Sequence, residues 1–103
     1  MTLDELKERC VNNGFSYAYG EFKEDVSTPH LCAYCVETNN FSADNKVFKK
    51  HTPIKLDYTY KDINKEEQRK IEENILYDVF WNKTDETYLS DEGVWQVSYF
   101  FEL

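Results

Sequence analysis

Asn39 to Lys61 reads NNFSADNKVFKKHTPIKLDYTYK, and the alternation inside it decides the fold. From Pro53 onward, Ile54, Leu56, Tyr58 and Tyr60 fall on one side and Lys55, Asp57, Thr59 and Lys61 on the other. That period of two belongs to a strand with one buried and one wet face, and its length marks it as a central strand. Asn39, Asn40, Asp44 and Asn45 tolerate left-handed backbone and cap their own turns, so the loop ahead of the strand is expected to be structured. Lys46 to Tyr60 is the returning limb. Pro53 cannot donate to a ladder, so a bulge or bend is expected within Lys49 to Thr52.

Upstream, Thr2-Leu3-Asp4-Glu5 is a capping box, with Leu3, Leu6, Cys10 and Val11 at helical spacing behind it and Asn13-Gly14 as the stop. This predicts a helix over Leu3 to Asn12. Phe15, Tyr17 and Tyr19 alternate with Ser16, Ala18 and Gly20, predicting a first strand that runs out near Phe22. Lys23 to Pro29 reads as a loop feeding a second strand, Leu31 to Glu37, whose apolar character is nearly continuous. Such a run suggests burial on both faces, or one face against another subunit.

Downstream, Asn64 caps a second helix expected over Lys65 to Asp78, with Ile71, Ile75, Leu76 and Val79 as its apolar stripe. Phe80 to Leu89 and Val94 to Leu103 then read as a hairpin around Ser90-Asp91-Glu92-Gly93, anchored by Trp81, Tyr88 and Trp95. The expected order is αβββαββ: an α+β domain, an antiparallel or mixed sheet with two helices packed on one face. The other face carries more aromatic residues than a thin core needs and would be offered to a neighbour.

With 103 residues the chain is expected to form a single domain spanning 1–103. Its core is thin, and an aromatic content of 17% with eight Tyr and seven Phe compensates by placing much apolar area in few residues. Twelve basic against twenty acidic residues give a net charge of −8, which argues against binding phosphate and hence nucleic acid. No apolar run approaches the roughly 20 residues of a membrane helix. The acidic, amphipathic start TLDELKER is unlike a signal peptide, so the protein is expected to be intracellular when made, with its three cysteines as free thiols.

His30-x-Cys32-x-x-Cys35 invites a zinc reading. In a strand, however, positions 32 and 35 point to opposite faces, and a second Cys/His pair is lacking, so buried cysteines and an exposed histidine are the expectation. A thioredoxin-type site fails because its cysteines open a helix. Asp44, Asp57, Glu86 and Glu102 could pair in space, but among twenty acids most are simply solvated. Lys49-Lys50-His51 reads as a guarded strand edge. No catalytic, cofactor or metal site is expected, and the chain is read as working by shape without chemistry.

The loop Asn40 to Phe48, the strand Ile54 to Tyr60, the stretch Trp81 to Tyr88 with Glu86, and the ending Trp95 to Leu103 together resemble a family of small tail-completion proteins encoded among the head and tail genes of long-tailed phages. There the pattern runs Asp-Asn-Phe-x-Ala-Asp-Asn-x-x-Tyr, then Tyr-Gln-Val-x-Tyr-x-x-Glu-Val at the C-terminus. This chain departs from it at Asn39, where an acid or small residue is expected, at Phe48 and Trp95 in place of tyrosines, and at Leu103 in place of valine.

The resemblance implies a tail terminator of the siphovirus type, located in the virion neck and made in the host cytoplasm. Such a protein forms a ring of its own copies, usually a hexamer, on the tail tube. It stops the major tail tube protein from polymerising further and offers a surface to the head–tail connector or stopper protein. On that reading Phe41, Asp44, Asn45 and Lys46 would make a subunit or tube contact, and Trp81, Tyr88 and Trp95 would pack the hairpin against a neighbour. The competing class is a small acidic inhibitor whose carboxylates imitate phosphates on a host nucleic-acid-binding protein. Basic residues are interspersed among the acids, as in KDINKEEQRKIEEN, and that favours an ordinary solvated helix face over a mimic.

Overall fold

The computed structural model describes residues 1–23, 26–36 and 52–103. Helix α1, Leu3–Asn12, begins at the capping box: Glu5 N–H donates to Thr2 Oγ1 at 3.1 Å and Thr2 N–H to Glu5 Oε1 at 2.8 Å. These two bonds satisfy donors that a helix start otherwise leaves bare. The helix stops at Asn13, and Gly14 takes φ +88, a left-handed turn that favours glycine. Leu6 and Cys10, one turn apart, are the residues it buries.

Strands β1 (Ser16–Tyr19), β2 (His30–Cys35), β3 (Pro53–Tyr60), β4 (Asn82–Lys83), β5 (Thr87–Leu89) and β6 (Val94–Glu102) form one mixed sheet. Its order is β1-β2-β3-β6-β4, with β5 also on β6. β3 lies between β2 and β6, as its alternation predicted, and pairs antiparallel with both. β1 is parallel to β2, so the sheet is mixed. It ends at Tyr19, short of Phe22, because Gly20 turns the chain at φ +90.

Helix α2, Lys65–Lys70, is capped by Asn64, whose side chain accepts from Glu66 N–H at 3.0 Å and Glu67 N–H at 3.2 Å. It then widens into a π-helical turn, Ile71–Ile75, closed by Leu76 N–H on the Ile71 carbonyl at 2.9 Å. Helical structure therefore ends before Asp78. The wider turn places Ile71, Ile75 and Leu76 together in the core, all fully buried, which a regular helix spreads over a larger arc.

Both helices cover one face of the sheet. Leu6 and Cys10 from α1 and Ile71, Ile75 and Leu76 beyond α2 join Leu31, Ala33, Ile54, Leu56, Tyr58, Tyr60, Val97, Tyr99 and Phe101 in one cluster. Arg9 clamps the two helical segments from outside. It donates to both carboxylate oxygens of Asp78, at 2.8 and 3.1 Å, and to the Ile75 carbonyl at 2.9 Å. That fork holds the Asp78 carboxyl below its ordinary range.

The C-terminal hairpin differs from the reading of the sequence. β4 pairs Lys83 with Tyr99, whereas β5 pairs Thr87 with Gln96. Residues 84–86 therefore face residues 97–98, three against two, and the expected strand Phe80 to Leu89 is split by a bulge. The order after α2 is three strands, not two. Thr84 secures the bulge by accepting from Ser98 N–H at 3.1 Å and donating its own N–H to the Ser98 carbonyl at 3.0 Å.

β2 alternates as well. Leu31 and Ala33 are buried against the helices, Cys32 and Tyr34 are half-buried on the other face, and Cys35 is exposed. Its continuous apolar run is therefore not buried on both faces. Among the described residues no helix is long and apolar enough to cross a membrane.

Candidate functional site

Phenols line the helix-covered face, and each meets a carboxylate at its rim. Tyr58 donates to Glu67 at 2.6 Å, Tyr99 to Glu72 at 2.8 Å, and Tyr60 to Glu86, which the bulge swings inward. Lys83 reaches Glu72 at 2.7 Å, and Gln68 donates to Glu86 at 3.3 Å. Burial and the adjacent carboxylates push all three phenols well above the ordinary tyrosine value, so they stay protonated donors. This seam closes the space between the α2 segment and the sheet. Every one of its three carboxylates accepts from a phenol, so the seam is built to hold the fold together.

The second face is less wet than alternation alone predicts. Asp57 is 9% exposed and Thr59 and Ser98 are buried as well. Asp57 accepts from Ser98 Oγ at 2.6 Å and Tyr34 Oη at 3.0 Å, with Lys55 Nζ at 3.9 Å. These partners compensate the carboxylate for lost water. Asp57 stands on this face and Glu86 is bonded on the other, so the structure does not bring that candidate acid pair together; Asp44 lies outside the described residues.

Cys32 and Cys35 project to opposite faces, as expected, since Cys32 is level with Asp57 and Cys35 with Ile54. Cys32 donates to the Gly20 carbonyl at 3.5 Å, and burial, then the nearby Asp57 and Glu21 charges, raise its pKa. Among the described residues no group of three His, Cys, Asp or Glu is arranged to hold a metal ion.

Of the predicted interface residues, Phe41, Asp44, Asn45 and Lys46 lie outside the described residues. Trp81 and Trp95 are half-buried against the core, Trp81 edge-on to Tyr99 at 5.5 Å. Tyr88 is exposed and lies 5.2 Å from the Trp95 ring. The two tryptophans thus give part of their surface to the chain's own packing, and Tyr88 is the most exposed of the three.

The largest apolar exposure among the described residues is elsewhere. Phe80, just beyond the π turn, is 100% exposed, with Tyr77 at 63% and Phe100 at 37%. Phe80 itself forms one side of a groove of about 570 Å³ where β3 begins and β6 ends, walled also by Val36, Ile54, Val79, Phe100 and Phe101 and rimmed by Asp78 and Glu102. The sequence reading gave Phe80 only as the first residue of a strand. Its signal was the run Tyr77-Asp78-Val79-Phe80-Trp81, which holds more apolar side chains than one helix end and one edge strand can turn inward.

A projecting ring and the groove it borders therefore share one corner. Comparison of the chain with family models, characterised proteins and solved structures finds no match.

Proposed function

We propose that this protein is a structural component that docks copies of itself through the Phe80 corner, and that it acts as a tail terminator of a long-tailed phage. The observation that carries the docking half is the side chain of Phe80, wholly in solvent at the side of an apolar groove. A ring and a groove on one surface are complementary parts. If each copy offers its ring to the next copy's groove, the contact is heterologous, and it gives a closed ring where the rotation from copy to copy closes.

The phage half rests on the resemblance of the Asn40 to Phe48 loop and the Trp95 to Leu103 ending. On that reading the subunits form a ring, in the family usually a hexamer, on the tail tube. They halt the tube protein and present a surface to the connector. The net charge of −8 suits a channel that passes DNA, because acids repel phosphate and leave the strand unbound.

The test is electron microscopy of tails assembled with and without the protein. Overlong tubes that fail to join heads are expected in its absence, and restored length on adding it back. Tails of normal length and infectivity made without it would sink the phage reading, whereas a protein monomeric at all concentrations, alone and with tube, would sink the docking.

A further inference from the structure

The second face carries another concavity, at the opposite end of β6 from the Phe80 corner. It encloses about 590 Å³, inside the range in which sites for small organic groups fall. Its floor is a row across three strands. His30 is level with Thr59 on β3, and Thr59 is level with Gln96 on β6. Gln96 Nε2 donates to Thr59 Oγ1 at 3.4 Å. Phe22 lies edge-on to the His30 ring at 4.9 Å and forms one wall, and Leu89 and Val94 form the facing wall.

His30 Nδ1 is buried with no hydrogen-bond partner. A buried ring nitrogen left unpaired is costly, and such groups mark strain, a functional role, or a bound water or ion. Glu92, from the β5–β6 turn, stands at the mouth, and its carboxylate has no ion-pair partner among the described residues. Among the described residues no lysine or arginine lines the space.

We propose that this cleft binds an alkyl cation bearing several N–H donors, a guanidinium or ammonium group on an apolar stem. The stem lies between Phe22 and the Leu89–Val94 wall. The head donates to Gln96 Oε1 on the floor, beside the His30 ring, and Glu92 balances its charge. Anionic ligands are disfavoured by that carboxylate and by the −8 charge of the chain. A guanidinium fits best, since its planar donors can serve several acceptors at once and its weak hydration suits a half-buried site beside an aromatic ring. This proposal is independent of the Phe80 surface.

The test follows the His30 imidazole by proton–carbon NMR in the full chain, its signal assigned with His30→Gln, while N-butylguanidinium is titrated in. A saturating shift is expected, with none from butyrate at matched ionic strength. Glu92→Gln, on an exposed turn, should weaken binding about three- to fivefold, and Gln96→Leu should weaken it through the floor. A short peptide with an internal arginine separates the sources. Tighter binding of the peptide identifies a partner's side chain, and weaker binding identifies a free amine; both support the shared chemistry. An unsaturated response, equal binding of butyrate, or unchanged affinity in both folded variants would overturn it.

Discussion

Replacing Phe80 with serine separates assembly from folding. In the isolated chain the Phe80 ring is 100% exposed. Its removal takes nothing from the core, and the stability of the monomer should change by no more than about 0.5 kcal/mol. In the proposed docked state the same ring would be buried, which is worth roughly 1.5–3 kcal/mol for a phenylalanine. At about 1.4 kcal/mol for each factor of ten, the association constant per contact should fall about 10- to 150-fold. Sedimentation equilibrium over a range of concentrations, paired with urea unfolding, reads both quantities. Trp81→Ala is the contrast: its ring packs on Tyr99, so it should destabilise the monomer by about 2 kcal/mol or more. Copies carrying −8 repel one another, so wild-type association should strengthen as salt shortens the screening length from about 30 Å at 0.01 M to about 8 Å at 0.15 M. Equal association by Phe80→Ser and wild type, or a stability loss above about 1 kcal/mol in Phe80→Ser, would refute the reasoning.

Three further outcomes follow from the interior. Burial lowers the His30 pKa below its ordinary 6.5, against an opposing pull from Glu92, so the unfolded chain takes the proton first. Stability should therefore rise with pH through the window just below 6.5 and level off above it, and His30→Asn should flatten that slope in urea midpoints taken between about pH 5 and 7. Cys10 is buried and its thiol pushed up to about 12, whereas Cys35 is exposed. A thiol reagent at mildly alkaline pH should modify Cys35 at once and Cys10 only on unfolding, and prompt labelling of Cys10 would contradict its burial. Asp57→Ala strips Ser98 and Tyr34 of their acceptor and should cost about 2–3 kcal/mol, while Asp57→Asn, which keeps an oxygen there, should cost less.

The parts of the fold that were legible in the sequence are those set by local rules. The capping box at Thr2 and the Asn64 cap are short-range hydrogen bonds between residues a few positions apart, and both formed where the spelling placed them. The period of two through Ile54, Leu56, Tyr58 and Tyr60 fixed a central strand because all four rings and branches must reach the same helices. What was not legible depends on partners distant in the chain. The bulge at residues 84–86 exists because Thr84 pairs with Ser98 and Glu86 meets Tyr60, contacts that no local pattern encodes. The π turn at Ile71–Ile75 answers to the sheet beneath it. The parallel pairing of β1 with β2 leaves no mark in either strand's alternation. At the candidate site, size and aromaticity suit an interface and a core equally, so the sequence could not show that Trp81 and Trp95 are half-buried against the core. Phe80 was passed over because a strand-forming residue at the start of a strand-like run needs no further account.

The two recesses lie at opposite ends of β6, one across the end of the sheet and one on its second face, and their separation has a measurable consequence. Phe100 belongs to the groove bordered by Phe80, while Val94 and Gln96 belong to the His30 cleft, and all three project from the same side of β6. From Phe100 back to Val94 is about 20 Å at the rise of an extended strand. Between them lies the bonded set Ser98, Asp57 and Tyr34, which holds β6, β3 and β2 in one arrangement. A rigid spacer with a single arrangement transmits nothing, because coupling needs an element with two states that both sites bias. Phe80→Ser should therefore leave the affinity for N-butylguanidinium unchanged, and saturating guanidinium should leave the association constant of the wild type unchanged at matched ionic strength. Should the two prove coupled, the linkage must be reciprocal and equal in free energy, and Asp57→Ala, by loosening the spacer, should alter it. Coupling that survives that substitution intact would place the path outside β6 and discredit the separation argued from these bonds.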